Sequence, residues 1–201
     1  MFIQIIQGKC INADRMHQLT DEWRETLGTT AEGWLGGTYG ITDDGEFVGV
    51  VRFESKEAAA RNSARPEQGE WAKKMQACFD GDVTFHDCDD VSMFLNGGAD
   101  DAGFVQLIQG KLTDPERFRH YMEQPMDTLQ QSRPDMIGGT IAIDKDGYFT
   151  ETIFFRSEAE AREGERKEMP ADMQREYEDE MAQVQGLRYL DLHHPWFASK
   201  A

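Results

Sequence analysis

Phe2-Ile3-Gln4-Ile5-Ile6-Gln7-Gly8-Lys9 returns as Phe104-Val105-Gln106-Leu107-Ile108-Gln109-Gly110-Lys111, and no other feature constrains the chain as strongly. The shift of 102 residues, from Phe2 to Phe104, also carries Leu35-Gly36-Gly37-Thr38 onto Ile137-Gly138-Gly139-Thr140 and Asp44-Gly45 onto Asp146-Gly147. A register kept over three segments predicts two copies of one unit rather than one large domain. We place the first copy at residues 1–96, a Gly- and Asp-rich linker at 97–102, and the second copy, with a C-terminal arm, at 103–201.

Within each copy the hydrophobic spacing predicts the order βαββαβ. In the first, residues 2–8 alternate as a strand, with Phe2, Gln4 and Ile6 on one face and Ile3 and Ile5 on the other. Asn12 is placed to cap a helix whose Met16, Leu19, Trp23 and Leu27 recur at helical spacing until Gly28. Residues 34–41 and 46–53 form a hairpin about Asp44-Gly45. Ser55 caps a second helix, which breaks near Pro66 and resumes through Trp71, Met75 and Phe79. Val83–Asp87 forms the last strand.

The second copy repeats this with Thr113-Asp114-Pro115 opening a helix striped by Phe118, Tyr121, Met122 and Leu129. A capping box at Ser157-Glu158-Ala159-Glu160 follows, then a break near Pro170, then Tyr177 and Met181, and a strand at Leu187–Asp191. Two such units make an α+β protein of two ferredoxin-like repeats, each with both helices on one sheet face. The other face needs a cover, and Phe2, Ile6, Phe47 and Val51, with Phe104, Ile108, Phe149 and Ile153, are the expected matching surfaces.

The net charge is -17, and it is shared: residues 1–98 carry 9 basic and 17 acidic side chains, and 99–201 carry 12 and 21. Such a surface repels phosphate backbones and anionic lipid, so neither nucleic acid nor membrane is an expected partner. No apolar run approaches the roughly 20 residues of a membrane helix, and the first residues read as a strand rather than a signal peptide, which gives a cytoplasmic expectation. Cys10, Cys78 and Cys88 all fall in the first copy, a set that reads as reduced thiols.

Val51-Arg52-Phe53-Glu54-Ser55-Lys56-Glu57-Ala58-Ala59 and Phe154-Phe155-Arg156-Ser157-Glu158-Ala159-Glu160-Ala161 each run a strand ending in an aromatic into a Ser-x-Glu-Ala helix start, with proline following at Pro66 and Pro170. This pattern resembles the dimeric α+β barrel superfamily, in particular its antibiotic biosynthesis monooxygenase-like domains. The resemblance implies two sheets packed face to face, here as a pseudo-dimer within one chain that leaves a further homodimer open. It implies either a protein that binds a small organic, aromatic molecule or a cofactor-independent monooxygenase acting on an aromatic polyketide-like substrate. The haem-degrading branch has an Asn on the first strand with Trp and His on the second helix. This chain has Gln4 and Gln7 on the strand and only Trp71 on the helix, so no cofactor is expected.

Several side chains could serve such a ligand. Trp23, Trp34, Tyr39 and Trp71 could wall an aromatic pocket or simply form core. The second copy has Pro125 and Met136 in place of Trp23 and Trp34, so a pocket would belong to the first. Gln4 and Gln106 could pair across the barrel or line it. His86 is the candidate base for a phenolic substrate, provided that it shares a cavity with Trp34 and Tyr39; opposite sheet faces would remove it. Alternation sends His86 and Cys88 one way and Asp87 and Asp89 the other, so His86–Asp90 is not expected to hold a metal. His193-His194-Pro195-Trp196-Phe197 reads as an arm that docks through its aromatics, and His17 as a solvated helix residue.

Overall fold

The computed structural model describes residues 1–95, 97–122, 132–168 and 171–199. The expectations at Pro125, Leu129 and Pro170, and those for the side chains of Tyr121 and Met122, lie outside the described residues. Among these residues the chain forms an α+β fold of antiparallel strands and six α-helices. It divides into two compact units, the first comprising residues 1–90 with the C-terminal segment from His194, the second Val91–His193.

In the first unit, β1 (Phe2–Lys9) leads to α1 (Ala13–Thr26), the hairpin β2 (Trp34–Ile41) and β3 (Glu46–Phe53), α2 (Lys56–Ser63), α3 (Pro66–Gln76) and β4 (Thr84–Phe94). The caps act as the sequence predicts: Asn12 accepts from the Arg15 amide at 3.1 Å and Ser55 from the Ala58 amide at 3.2 Å. Pro66 opens α3, where its missing N–H costs nothing. The hairpin turns on Gly45, whose φ of +83° is cheap only for glycine. The sheet order is β4-β1-β3-β2, and β9 (Trp196–Ser199) lies antiparallel on the outer edge of β2.

The second unit repeats the plan with β5 (Phe104–Leu112), α4 (Pro115–Met122), β6 (Met136–Asp144), β7 (Tyr148–Phe155), α5 (Glu158–Glu165), α6 (Ala171–Met181) and β8 (Val184–Leu192). Register is preserved residue for residue across the first three strands. Phe2 pairs with Phe53 and Phe104 with Phe155, and both hairpins slip at the same place, between Trp34 and Gly36 and between Met136 and Gly138. These strand glycines serve a bulge and a close approach. A Cβ on Gly139 would collide with the Phe94 ring, and one on Gly37 with the Tyr39 hydroxyl.

The expected sheet faces need correction in both units. Phe2, Ile6, Phe47 and Val51 do not face away from the helices; they pack with Met16, Leu19 and Trp23 of α1 and Met75 of α3. Likewise Phe104, Ile108, Phe149 and Ile153 pack with Phe118 and Ala161. The helix-free faces carry Ile3, Ile5, Val48, Val50 and Cys88 in one unit and Val105, Leu107 and Phe154 in the other, all buried. Because both faces are apolar, alternation separates them without saying which one bears the helices.

The compact units also differ from contiguous halves. The strand expected to end at Asp87 continues to Phe94, so Val91–Phe94 joins the second unit beside β6, and the C-terminal arm is a strand of the first. Trp196 anchors that arm. Its Nε1 donates to Thr20 Oγ1 at 2.8 Å, and its ring stacks on His17 at 4.6 Å, which corrects the reading of His17 as merely solvated.

Candidate functional site

The four aromatics predicted to wall a pocket sit together on the helix-covered face of the first unit. Trp23 and Trp34 meet edge to face with centroids 4.8 Å apart, and Trp71 lies 6.3 Å from Trp23. Trp23 donates to Gln68 Oε1 at 2.6 Å and Trp71 to the Leu19 carbonyl at 2.8 Å, while the buried Trp34 Nε1 has no partner among the described residues. Tyr39 forms a triangle of rings with Phe47 and Trp196, and burial holds its hydroxyl proton on well above the ordinary range, with the charge of Arg52 opposing. These rings interlock as core.

His86 is not brought to them. It stands opposite Ile5 on the helix-free face, whereas Trp34 and Tyr39 are on the helix-covered face, so the sheet separates the proposed base from the aromatic wall. Gln4 and Gln106 take equivalent places, each in its own unit. Gln4 Nε2 donates to Asp87 at 2.8 Å and Gln106 Nε2 to Asp191 at 2.9 Å, each to the neighbouring strand of its own unit. Asp191 also receives Arg162, whose guanidinium lies over the Phe104 ring. These amides satisfy carboxylates. Among the described residues no three metal-capable side chains come together as a binding set.

A different constellation emerges in the second unit. Across its sheet, Tyr189 on β8, Ile108 on β5, Glu151 on β7 and Ile141 on β6 form one row on the helix-covered face. The corresponding row of the first unit reads Phe85, Ile6, Gly49, Tyr39. There the Tyr39 ring fills the space beside Gly49, where a Cβ would already lie 3.2 Å from it. In the second unit isoleucine replaces that tyrosine, and a carboxyl replaces the glycine hydrogen.

Helix α6 completes the group. Tyr177 and Glu180, three residues apart, project from one side of the helix, and the Tyr177 hydroxyl lies 3.2 Å from that of Tyr189. Burial, with the negative charge of Glu180 second, pushes Glu151 up to about 8, and burial raises Glu180 to about 7. Burial, its bond to Tyr189 and the two carboxylates hold Tyr177 protonated far above neutrality. Among the described residues no cation pairs with Glu151 or Glu180. A carboxyl of this kind can hold or take a proton near neutral pH, the property acid–base chemistry uses.

The sequence reading missed Glu151, Glu180 and Tyr189 as site residues and saw Tyr177 only as helix stripe. The signal was present: in Phe149-Thr150-Glu151-Thr152-Ile153 a charged residue occupies the core phase of a strand.

No family model matches the chain, and no curated protein sequence does. Solved structures do. A provisionally assigned monooxygenase from Lactobacillus acidophilus NCFM superposes with a TM-score of 0.71 at 16% identity, covering 98% of this chain and 95% of that one. An anthrone oxidase-like protein gives 0.69 at 11% identity, with 99% and 94% covered. A ferredoxin-fold protein related to antibiotic biosynthesis monooxygenases, from Listeria monocytogenes, gives 0.53 at 11% identity, with 96% and 94% covered. At these identities the likeness carries the fold: this chain has the ferredoxin-like architecture of antibiotic biosynthesis monooxygenase-like proteins. Among its described residues no helix is long and apolar enough to cross a membrane.

Proposed function

We propose that this protein binds a small organic molecule on the helix-covered face of its second unit, where Glu151, Tyr177, Glu180 and Tyr189 meet. The carrying observation is Glu151 itself, a carboxyl set in an apolar row between Ile108 and Ile141 with no cation paired to it among the described residues. Such a group costs stability, and packing alone favours an apolar residue there. A thermal-shift screen of flat organic molecules tests the reading: a binder raises the melting temperature of the wild type and has a weaker effect on Glu151→Gln. Hits that act equally on both proteins, or a screen without hits, overturn it.

A second reading is a cofactor-independent monooxygenase acting on an aromatic polyketide-like substrate, favoured by the proton affinity of Glu151. A carboxylate titrating near 8 is better matched than an ordinary one to taking a proton from a phenol or an activated ring carbon, after which the carbanion reacts with oxygen. Glu151 would then hold the base role that the sequence suggested for His86. Oxygen uptake with anthrone should fall by about 10²-fold in Glu151→Gln and stay unchanged in His86→Gln; the reverse pattern removes the assignment.

For the architecture we propose an internal duplication closed into an α+β barrel. The shared register and the burial of both helix-free faces support this.

A further inference from the structure

We infer that the helix-free face of the second unit holds a site for a small uncharged molecule with two carbonyl-type oxygens, built on the Thr150 and Thr152 hydroxyls. This site lies on the face of β7 opposite to Glu151 and stands independently of the binding reading above.

The two copies of the sheet differ in chemistry here. In the first unit β3 presents Val48 and Val50 to this face, Val48 between Gln7 and Gly40 and Val50 between Ile5 and Thr38. In the second, β7 presents Thr150 between Gln109 and Ala142, and Thr152 between Leu107 and Thr140. Threonine has nearly the shape of valine, so filling space does not call for the change; what it adds is a hydroxyl. Thr150 and Thr152 are each 1% exposed and Gln109 is 0% exposed. Each hydroxyl has therefore left water and needs a partner inside the fold.

Local partners meet only part of that need. Gln109 Nε2 donates to Thr150 Oγ1 at 3.0 Å, and Gln109 Oε1 accepts from the Tyr148 hydroxyl at 3.2 Å. The relay fixes the amide and makes Thr150 Oγ1 an acceptor, which leaves its own proton to donate. Thr152 Oγ1 has no hydrogen-bond partner among the described residues. An unmet buried hydroxyl lowers stability, and Val48 and Val50 show that the same strand positions accept valine.

Spacing and charge define the ligand. Alternate residues of a strand lie about 6.8 Å apart, beyond what one oxygen at about 2.8 Å from each hydroxyl can bridge. A ligand with two acceptor oxygens spans them. The charged residue of these two rows is Arg188, opposite Gln109 on β8. It stands two strands from Thr150, about 10 Å away. An ion held at Thr150 and Thr152 would lose its water with no countercharge beside it, whereas a neutral carbonyl compound loses far less. Leu107 and Ala142, both buried, suit its carbon skeleton.

The test is an NMR titration of the full chain with three probes of one ring shape: N-methylsuccinimide with two carbonyls, N-methylpyrrolidone with one, and methylcyclopentane with none. Affinity should fall about five- to tenfold for each carbonyl removed. Thr152→Val should lose that preference yet melt higher than the wild type without probe, because the unmet hydroxyl is gone, so lost binding is separable from lost folding. Thr152→Ser, which keeps the hydroxyl, should keep the preference. Equal affinity for the three probes, no binding of N-methylsuccinimide, or a Thr152→Val protein that binds like the wild type overturns the inference. A Thr152→Val protein that melts lower than the wild type would assign the hydroxyl to the fold itself, with an ordered water as its partner, and overturns it as well.

Discussion

At residue scale, Glu151 stands in the phase of its strand that belongs to the core, and its proton sets a pH dependence of stability. An ordinary carboxyl titrates at 4.5, and in the fold Glu151 is pushed up to about 8. The folded state therefore holds the proton more tightly than the unfolded chain does. Its contribution is fully present below about pH 4.5 and is lost as pH rises through about 8. At about 1.4 kcal/mol per unit, the loss amounts to a few kcal/mol. Urea unfolding of Glu151→Gln should match the wild type near the acid end of that window and exceed it by a few kcal/mol above it; parallel pH profiles would contradict the burial argument. Much of this scale was legible in the sequence. The aromatics were read as candidate core or pocket; Trp23, Trp34 and Tyr39 are buried in the first unit's core, and Trp71 packs partly buried against it. What alternation could not supply was the side of the sheet on which the helices lie, because Ile3 and Ile5 are as apolar as Phe2 and Ile6. That ambiguity left open whether His86 shares a face with Trp34 and Tyr39, and the register puts it on the other. Glu151 was visible as a charge out of phase, but only the structure sets it opposite Ile141, where the first unit sets Gly49 opposite Tyr39.

At element scale, the strands that flank the glycines decide the packing. The Phe94 ring lies over Gly139, so Gly139→Ala should destabilise by about 1–3 kcal/mol through overpacking. Gly69, inside α3 with open space where a Cβ would stand, provides the contrast, and Gly69→Ala should stabilise by about 1 kcal/mol through helix propensity. Denaturant midpoints with unchanged m-values would verify both signs, and equal effects would refute the packing account. Strand β9 is the second case. Removing the Trp196 ring takes away its bond to Thr20, its stack on His17 and its contact with Tyr39, so Trp196→Ala should cost about 3 kcal/mol and expose the β2 edge. Amide exchange along β2 reports this directly: protection at Gly37 and Tyr39 should drop well before that at β1. The repeat made the hairpins and caps readable, since Gly45, Ser55 and Ser157 carry local instructions. The strand endings were not. Asp87-Cys88-Asp89-Asp90 looks like a polar exit from a strand, yet pairing with neighbours carries β4 on to Phe94.

At the scale of the whole molecule, each compact unit is completed by chain that a contiguous cut would assign to the other half. Residues 1–96 contain β1 to β4 but lack β9, the strand on the edge of β2, while their own Val91–Phe94 belongs beside β6. β2 and β6 are counterparts in the shared register. An isolated 1–96 fragment therefore has one open edge and one strand end without its partner, the situation in which identical chains exchange elements. Burying both in a second copy satisfies the ladder hydrogen bonds that each fragment leaves open. Charge opposes this only moderately, because 9 basic against 17 acidic residues repel less as salt is added. Light scattering of fragment 1–96 should thus give a dimer that tightens with ionic strength, whereas the full chain, with both edges already occupied, should give the mass of a single chain. Deleting residues 91–96 from the fragment should abolish the dimer. A folded monomeric fragment with native-like thermal stability would show that the exchanged strands are dispensable, and that the two halves are joined by sequence history rather than by the need to complete each other's sheets.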